Sequence, residues 1–265
     1  MNTKNNILVK IFVAVTYVAM VVVNALANIL PINGISTGKI SDNYLNLFAP
    51  AGLTFSIWGL IYLLLGMYTV YQFIPTRDNK NSNREELLKK IGFYFSVSSI
   101  ANALWIFAWH YDFLAISVLI MGVILFSLIK IADILKREKF LLKDKLLILT
   151  PFSVYFGWIT VATIANITVL LVSLGWNGFG IADYIWTSVV LLVGMAIGVK
   201  RTLSDKNIAY GLVLVWAYAG ILFKHVSAAG FAGNYPSIIA TTILCIVAFV
   251  ITLIYVFSKV KIRNK

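Results

Sequence analysis

Read from its first residue, the chain alternates long apolar runs with short polar breaks. A helix needs roughly 20 apolar residues to cross the roughly 30 Å hydrocarbon core of a bilayer. Eight runs meet that length, at about 8–30, 48–74, 91–111, 113–135, 146–174, 182–199, 208–226 and 237–258. The pattern predicts an all-α integral membrane protein, a bundle of about eight transmembrane helices. Only His110, Tyr111 and Asp112 separate the third run from the fourth, so a very tight hairpin is expected there. In the fifth run Pro151 is expected in the first helical turn, where a missing N–H costs little. The first run follows a short basic stretch, but it is longer than the apolar core of a cleavable signal and reads as a span.

Composition agrees with this division. Hydrophobic residues make up 60% of the 265 and charged residues 12%, against about 25% charged in soluble domains. Mean hydropathy is +0.90. The net charge of +12 changes the picture only through its placement. With the N-terminus inside and each run crossing once, every Lys and Arg except Lys39 and Lys224 falls on the side of the termini. That asymmetry is the positive-inside pattern, and it predicts cytoplasmic N- and C-termini in a plasma membrane of bacterial type. Basic residues that flank spans meet lipid headgroups, and no contiguous basic face or module for nucleic acid is present. The single Cys245 lies within an apolar run, as a small buried residue with no disulfide or metal role.

The connections opposite the termini are rich in turn formers. Residues 31–47 hold Pro31, Asn33, Gly34, Ser36, Gly38, Ser41 and Asn43, and residues 175–180 read GWNGFG. Within the spans the chemistry is sparse. Asn24, Asn28, Asn102 and Asn166 are expected to face the bundle interior, because an amide in hydrocarbon needs a partner. Trp58 and Tyr62 share a helix face, as do Asn102, Trp105 and Trp109, and Trp158, Ala162 and Asn166. Gly157 and Ala162 are small enough for a helix or a flat ligand to approach closely. Asp183 opens the sixth run and Lys224 closes the seventh at a similar depth, which makes them a candidate ion pair or gate; snorkelling of Lys224 is the competing explanation. His110 and Asp112 read as solvated turn residues. Asp133 pairs along its own helix with Lys130 or Arg137. Gly194 and Gly198 spell GxxxG, a packing face expected within the chain.

Three segments resemble the TspO/MBR family, also called translocator protein. Residues 50–66, Pro50-Ala-Gly-Leu-Thr-Phe-Ser-Ile-Trp58-Gly-Leu-Ile-Tyr62-Leu-Leu-Leu-Gly66, are similar to that family's second-helix pattern P-x-x-W-V-F-x-x-V-W-x-x-L-Y-x-x-M-G. Pro50, Trp58, Tyr62 and Gly66 match; Gly52 or Leu53 replaces the first Trp and Ala49 one of the paired prolines. Asn102-Ala-Leu-Trp105 resembles the third-helix L-N-x-x-W. Trp158-Ile-Thr-Val-Ala162-Thr163-Ile-Ala-Asn166 resembles the fifth-helix W-x-x-F-A-T-x-L-N. The resemblance covers roughly residues 8–175, the first five spans. It implies an enlarged relative: a TspO-like five-helix segment, 1–175, followed by an additional three-helix membrane segment, 176–265, that has no counterpart in the usual five-helix family and packs into the same domain. It further implies that Trp58, Tyr62, Asn102, Trp105, Trp158, Ala162 and Asn166 wall a pocket for a flat hydrophobic molecule, a tetrapyrrole or a sterol-like ligand. Any such tetrapyrrole would be bound noncovalently.

Three functional readings stay open at this point. The first is a ligand-binding or sensory membrane protein of TspO type. The second is a secondary transporter of a small hydrophobic or amphipathic solute, for which coupling groups inside the spans are scarce apart from Asp183 and Lys224. The third is a structural or partner-binding membrane protein, in which the Asn and Trp residues join helices. Motifs of catalysis or metal binding are missing, so the chain is not read as an enzyme.

Overall fold

A computed structural model describes residues 3–30, 32–35, 37–74 and 81–263, with the side chains of 3–6, 81–83 and 260–263 left out. Among residues used above, Pro31, Ser36, Arg77, Lys80 and Lys265 lie outside the described residues, as do the side chains of Lys4, Lys261 and Arg263. The order is α1 (Thr3–Ile29), α2 (Thr37–Asn43), α3 (Ile57–Tyr71), α4 (Asn81–His110), α5 (Leu114–Leu135), α6 (Leu142–Asp144), α7 (Thr150–Ser173), α8 (Asp183–Asp205), α9 (Ile208–Val226) and α10 (Pro236–Arg263). No strand forms among the described residues. Eight helical stretches among them are long and apolar enough to cross a membrane, beginning with Ile7–Ile29 and ending with Pro236–Lys259. The sequence pattern therefore placed all eight spans. Exposed Leu63, Val70 and Leu119 suit a lipid-facing surface, where apolar side chains need no cover.

The hairpin between α4 and α5 is as tight as expected. The Phe113 N–H reaches the Ala108 carbonyl (2.9 Å) and the Asp112 N–H the Trp109 carbonyl (3.4 Å), with Asp112 left-handed at φ 57°. This is a Schellman closure, which supplies partners for carbonyls that the helix end leaves open.

Pro151 is the second residue of α7, in its first turn as expected, but the helical run does not begin there. The proline lies inside the helical stretch Leu142–Ser173, after a π-helical turn over Lys145–Leu149. A wider turn tolerates the absent N–H and relieves the ring's clash with the preceding turn. The Thr150 hydroxyl also donates to the Lys145 carbonyl (2.9 Å), which the Thr150 backbone N–H reaches as well.

By compactness the chain forms two units. One unit comprises Met1–Ile40 and Trp58–Phe156, the other Ser41–Ile57 and Gly157–Lys265. In the first unit α4 packs against both α1 and α5. Gly92 gives room to Val9 and Val13 of α1, and Gly66 to Tyr17. Tyr68, Phe95 and Phe152 form an edge-to-face cluster with centroids 4.7–5.7 Å apart, a favoured aromatic geometry.

In the second unit α10 packs on α8 and α9. Segment 41–57 belongs here because α9 holds it along its length. The Ala51 N–H bonds the Gly220 carbonyl (3.1 Å), the Trp216 indole donates to the Thr54 carbonyl (3.0 Å) and His225 Nε2 donates to the Leu47 carbonyl (2.8 Å). The GxxxG face is used within this unit, as expected. A Cβ on Gly194 would stand 2.5 Å from the Tyr218 hydroxyl, and one on Gly198 would collide with Leu214 and Phe249.

Candidate functional site

In the first unit, the four-residue spacing of Trp58 and Tyr62 on α3 stacks their rings, 5.4 Å apart and 20° from parallel. Both remain half-exposed. Tyr155, fully buried, meets Trp58 at 6.1 Å and 60°. Beneath it runs a polar chain across three helices. Asn24 Nδ2 donates to Asn102 Oδ1 (2.7 Å), and Asn102 Nδ2 donates to the Tyr155 hydroxyl (3.1 Å). These amides are buried because they satisfy one another, as hydrocarbon requires. The Tyr17 hydroxyl donates to the Tyr62 carbonyl (2.8 Å). The Tyr62 hydroxyl itself is buried and has no hydrogen-bond partner among the described residues. Trp105 stacks on Trp109 (5.3 Å, 19°), and the Trp109 indole donates to the Thr37 carbonyl (3.1 Å). Both rings are buried, an arrangement that joins elements.

In the second unit, Trp158 is buried with its ring edge-on to Phe55, 5.7 Å apart at 82°. Asn166 is buried and Ala162 half-buried. Gly157 serves helix packing: a Cβ there would meet the Tyr210 carbonyl and Val213, each at 2.9 Å. The same unit contains a cavity of about 800 Å³, within the size range of small-molecule sites. Segment 45–48, the end of α7, the start of α8, Phe231 and Tyr235 line it.

Lys224 has a different partner from the one expected. Its ammonium pairs with Asp42 (3.1 Å), a residue brought to the end of α9 by the pinned segment 41–57. Asp183 is exposed in the first turn of α8, where its charge suits the helix N-terminus, and it lines the cavity.

A family model described as TSPO-like protein matches residues 10–255. The chain belongs to the TSPO-like family. No curated protein and no solved structure matches it. The match extends through α8 and α9 into α10, so it covers the three spans beyond the five-helix pattern as well, as an enlarged relative requires. The three short motifs lie on the second, third and fifth spans and carry no information about the C-terminal third of the chain.

Two further expectations for this TSPO-like chain are corrected. Asn28 is exposed and bonds the Asn24 carbonyl of its own helix (2.9 Å), a local partner that removes the need to face inward. His110 is buried, not solvated. Its Nδ1 donates to the Ile32 carbonyl (2.9 Å), and its Nε2 accepts from the Thr37 hydroxyl (3.0 Å). Both ring nitrogens thus hold the segment after α1. His225 does equivalent work in the second unit, with its ring against Phe231 (4.7 Å) and Nε2 on Leu47. Neither histidine's hydrogen-bond partners are signalled by the sequence, since each is reached across at least 73 residues. Asp133 lies with Lys130 and Arg137 along a charged groove of about 380 Å³ in the first unit.

Proposed function

We propose that this TSPO-like protein is a ligand-binding, sensory membrane protein, taking a flat hydrophobic molecule of tetrapyrrole or sterol type against Trp58 and Tyr62. The supporting observation is the half-exposed Trp58–Tyr62 stack with a buried Tyr62 hydroxyl that has no partner among the described residues. A stacked aromatic pair offers a flat apolar face. A stranded buried hydroxyl costs roughly 1–3 kcal/mol until something bonds it. A planar ligand bearing one polar group, such as a propionate or a sterol hydroxyl, supplies both complements. Asn102, through Tyr155, fixes the ring behind Trp58. The resemblance also assigns Trp158, Ala162 and Asn166 to ligand binding; within their own unit Trp158 packs on Phe55 and is buried. Cytoplasmic termini in a plasma membrane remain the orientation proposed from the basic residues. The carrier reading loses its named ion pair, because Lys224 is engaged by Asp42.

Titration of the purified protein with protoporphyrin IX, followed by tryptophan quenching, tests this beside an unrelated membrane protein in the same detergent. Saturable micromolar binding is expected, weakened about five- to tenfold by Tyr62→Phe, the worth of one hydrogen bond, and further by Trp58→Leu. Uptake indistinguishable from the control protein would overturn the proposal.

A further inference from the structure

The cavity in the second unit has a chemistry that the Trp58–Tyr62 face lacks. Its walls include Trp176, Tyr184, Trp186, Phe231 and Tyr235, and Asp183 is the one charged side chain among its described lining residues. The aromatic walls are fixed before any ligand arrives. Trp176 and Trp186 lie 5.2 Å apart, and the Trp186 indole N–H is spent on the Gly178 carbonyl (2.8 Å), which leaves its ring as a π surface. A Cβ at Gly178 would come within 2.9 Å of that ring, and its φ of 60° suits glycine. Phe231 and Tyr235 meet edge-to-face at 5.4 Å. The wall formed by Leu45 to Phe48 is held by Asn46, whose Oδ1 accepts from the N–H groups of Phe48 (3.2 Å) and Ala49 (2.8 Å). His225 anchors Leu47 on one side and packs on Phe231 on the other.

Charge then decides what such a cavity selects. Asp183 has no ion pair among the described residues. The lysine beside the cavity wall, Lys224, stands 5.9 Å from the Phe231 ring centroid, and its charge is matched by Asp42. Aromatic faces attract cations through their quadrupoles, most strongly where water is thinned out. An anion would meet π faces and a carboxylate, with no cationic side chain among the described lining residues.

We infer that this cavity is a second binding site, separate from the Trp58–Tyr62 face, and that it takes a lipophilic organic cation. The cation's apolar body lies among the rings and its charge faces Asp183. The chemistry fits a quaternary ammonium or phosphonium of a few hundred Å³, whether a free solute or the choline headgroup of a lipid.

Tetraphenylphosphonium and tetraphenylborate have nearly the same size and opposite charge, so the pair separates cation selection from apolar partition. Equilibrium dialysis against the full chain in lipid nanodiscs, with empty nanodiscs as reference, should give one saturable phosphonium site and at least about tenfold weaker borate binding. Asp183→Asn, at an exposed position that leaves the fold intact, should cut phosphonium affinity about five- to tenfold and leave borate unchanged or tighter. Tyr184→Ala should weaken the phosphonium with Asp183 still present. The same titration in choline and in glycerol phospholipid nanodiscs identifies the source: competition confined to choline lipid points to the headgroup, and equal affinity points to a free solute. Equal binding of the two ions, or phosphonium uptake unaffected by both substitutions, would overturn the inference. Porphyrin binding at Trp58 and Tyr62 is read separately and survives either result.

Discussion

Replacing Tyr62 by Phe should make the unliganded protein more stable, although it deletes a polar group from a buried position. The hydroxyl is out of contact with solvent and has no partner among the described residues, so it carries its desolvation cost with no return, roughly 1–3 kcal/mol. The ring stack on Trp58 depends on the aromatic face and is kept by Phe. The Tyr62 backbone carbonyl still accepts from Tyr17, so the α1–α3 tie is untouched. A gain of about 1 kcal/mol is expected, a rise in Tm of about 2–4 °C for a chain of this size. Tyr17→Phe provides the opposite sign. It removes a hydroxyl that does bond, and it should cost about 1 kcal/mol. Thermal unfolding of both variants beside the parent, followed by circular dichroism at 222 nm in one detergent, reads the difference directly. The reasoning is refuted if Tyr62→Phe lowers Tm as much as Tyr17→Phe does, since the Tyr62 hydroxyl would then be making a bond the geometry denies it.

Single contacts elsewhere carry their own consequences. Asn102→Ala breaks the Asn24–Asn102–Tyr155 chain and should cost about 1 kcal/mol, the usual scale for interhelical bonds in membranes, seen as a lower Tm. Gly198→Ala forces a methyl into Leu214 and Phe249 and should destabilise by about 1–3 kcal/mol, whereas Gly122→Ala, with open space around it, should be neutral or slightly stabilising. A double-mutant cycle between Lys224→Ala and Asp42→Asn should show a coupling of about 0.2–1 kcal/mol, as for a pair whose carboxylate is open to solvent. The same cycle with Asp183→Asn should show none.

The spans were legible because membrane crossing imposes a length and a hydropathy that each segment satisfies on its own. The tight turn after His110 and the packing use of Gly194 and Gly198 were legible for the same reason, as local geometry dictates both. What escaped the sequence depends on partners far away along the chain. Lys224 lies 182 residues from Asp42, and nothing near Lys224 points there in preference to Asp183. His110 looks like a turn residue until Ile32 and Thr37 are seen beside it. The need of an amide in hydrocarbon for a partner correctly placed Asn24, Asn102 and Asn166 inside, but it had no means of showing that Asn28 finds a carbonyl on its own helix. Of the candidate site, the Trp58–Tyr62 stack follows from spacing alone. The second cavity does not, because its walls come from three separate stretches, 45–48, 168–190 and 231–235.

Ligand binding at the Trp58–Tyr62 face is tested most directly by locating a bound molecule covalently. A diazirine-bearing protoporphyrin IX, photolysed with the full chain in nanodiscs and mapped by mass spectrometry, should label the α3 peptide that carries Trp58 and Tyr62, and excess unmodified porphyrin should suppress that label. Labelling spread over lipid-facing positions such as Leu63, Val70 and Leu119, undiminished by competitor, would contradict it.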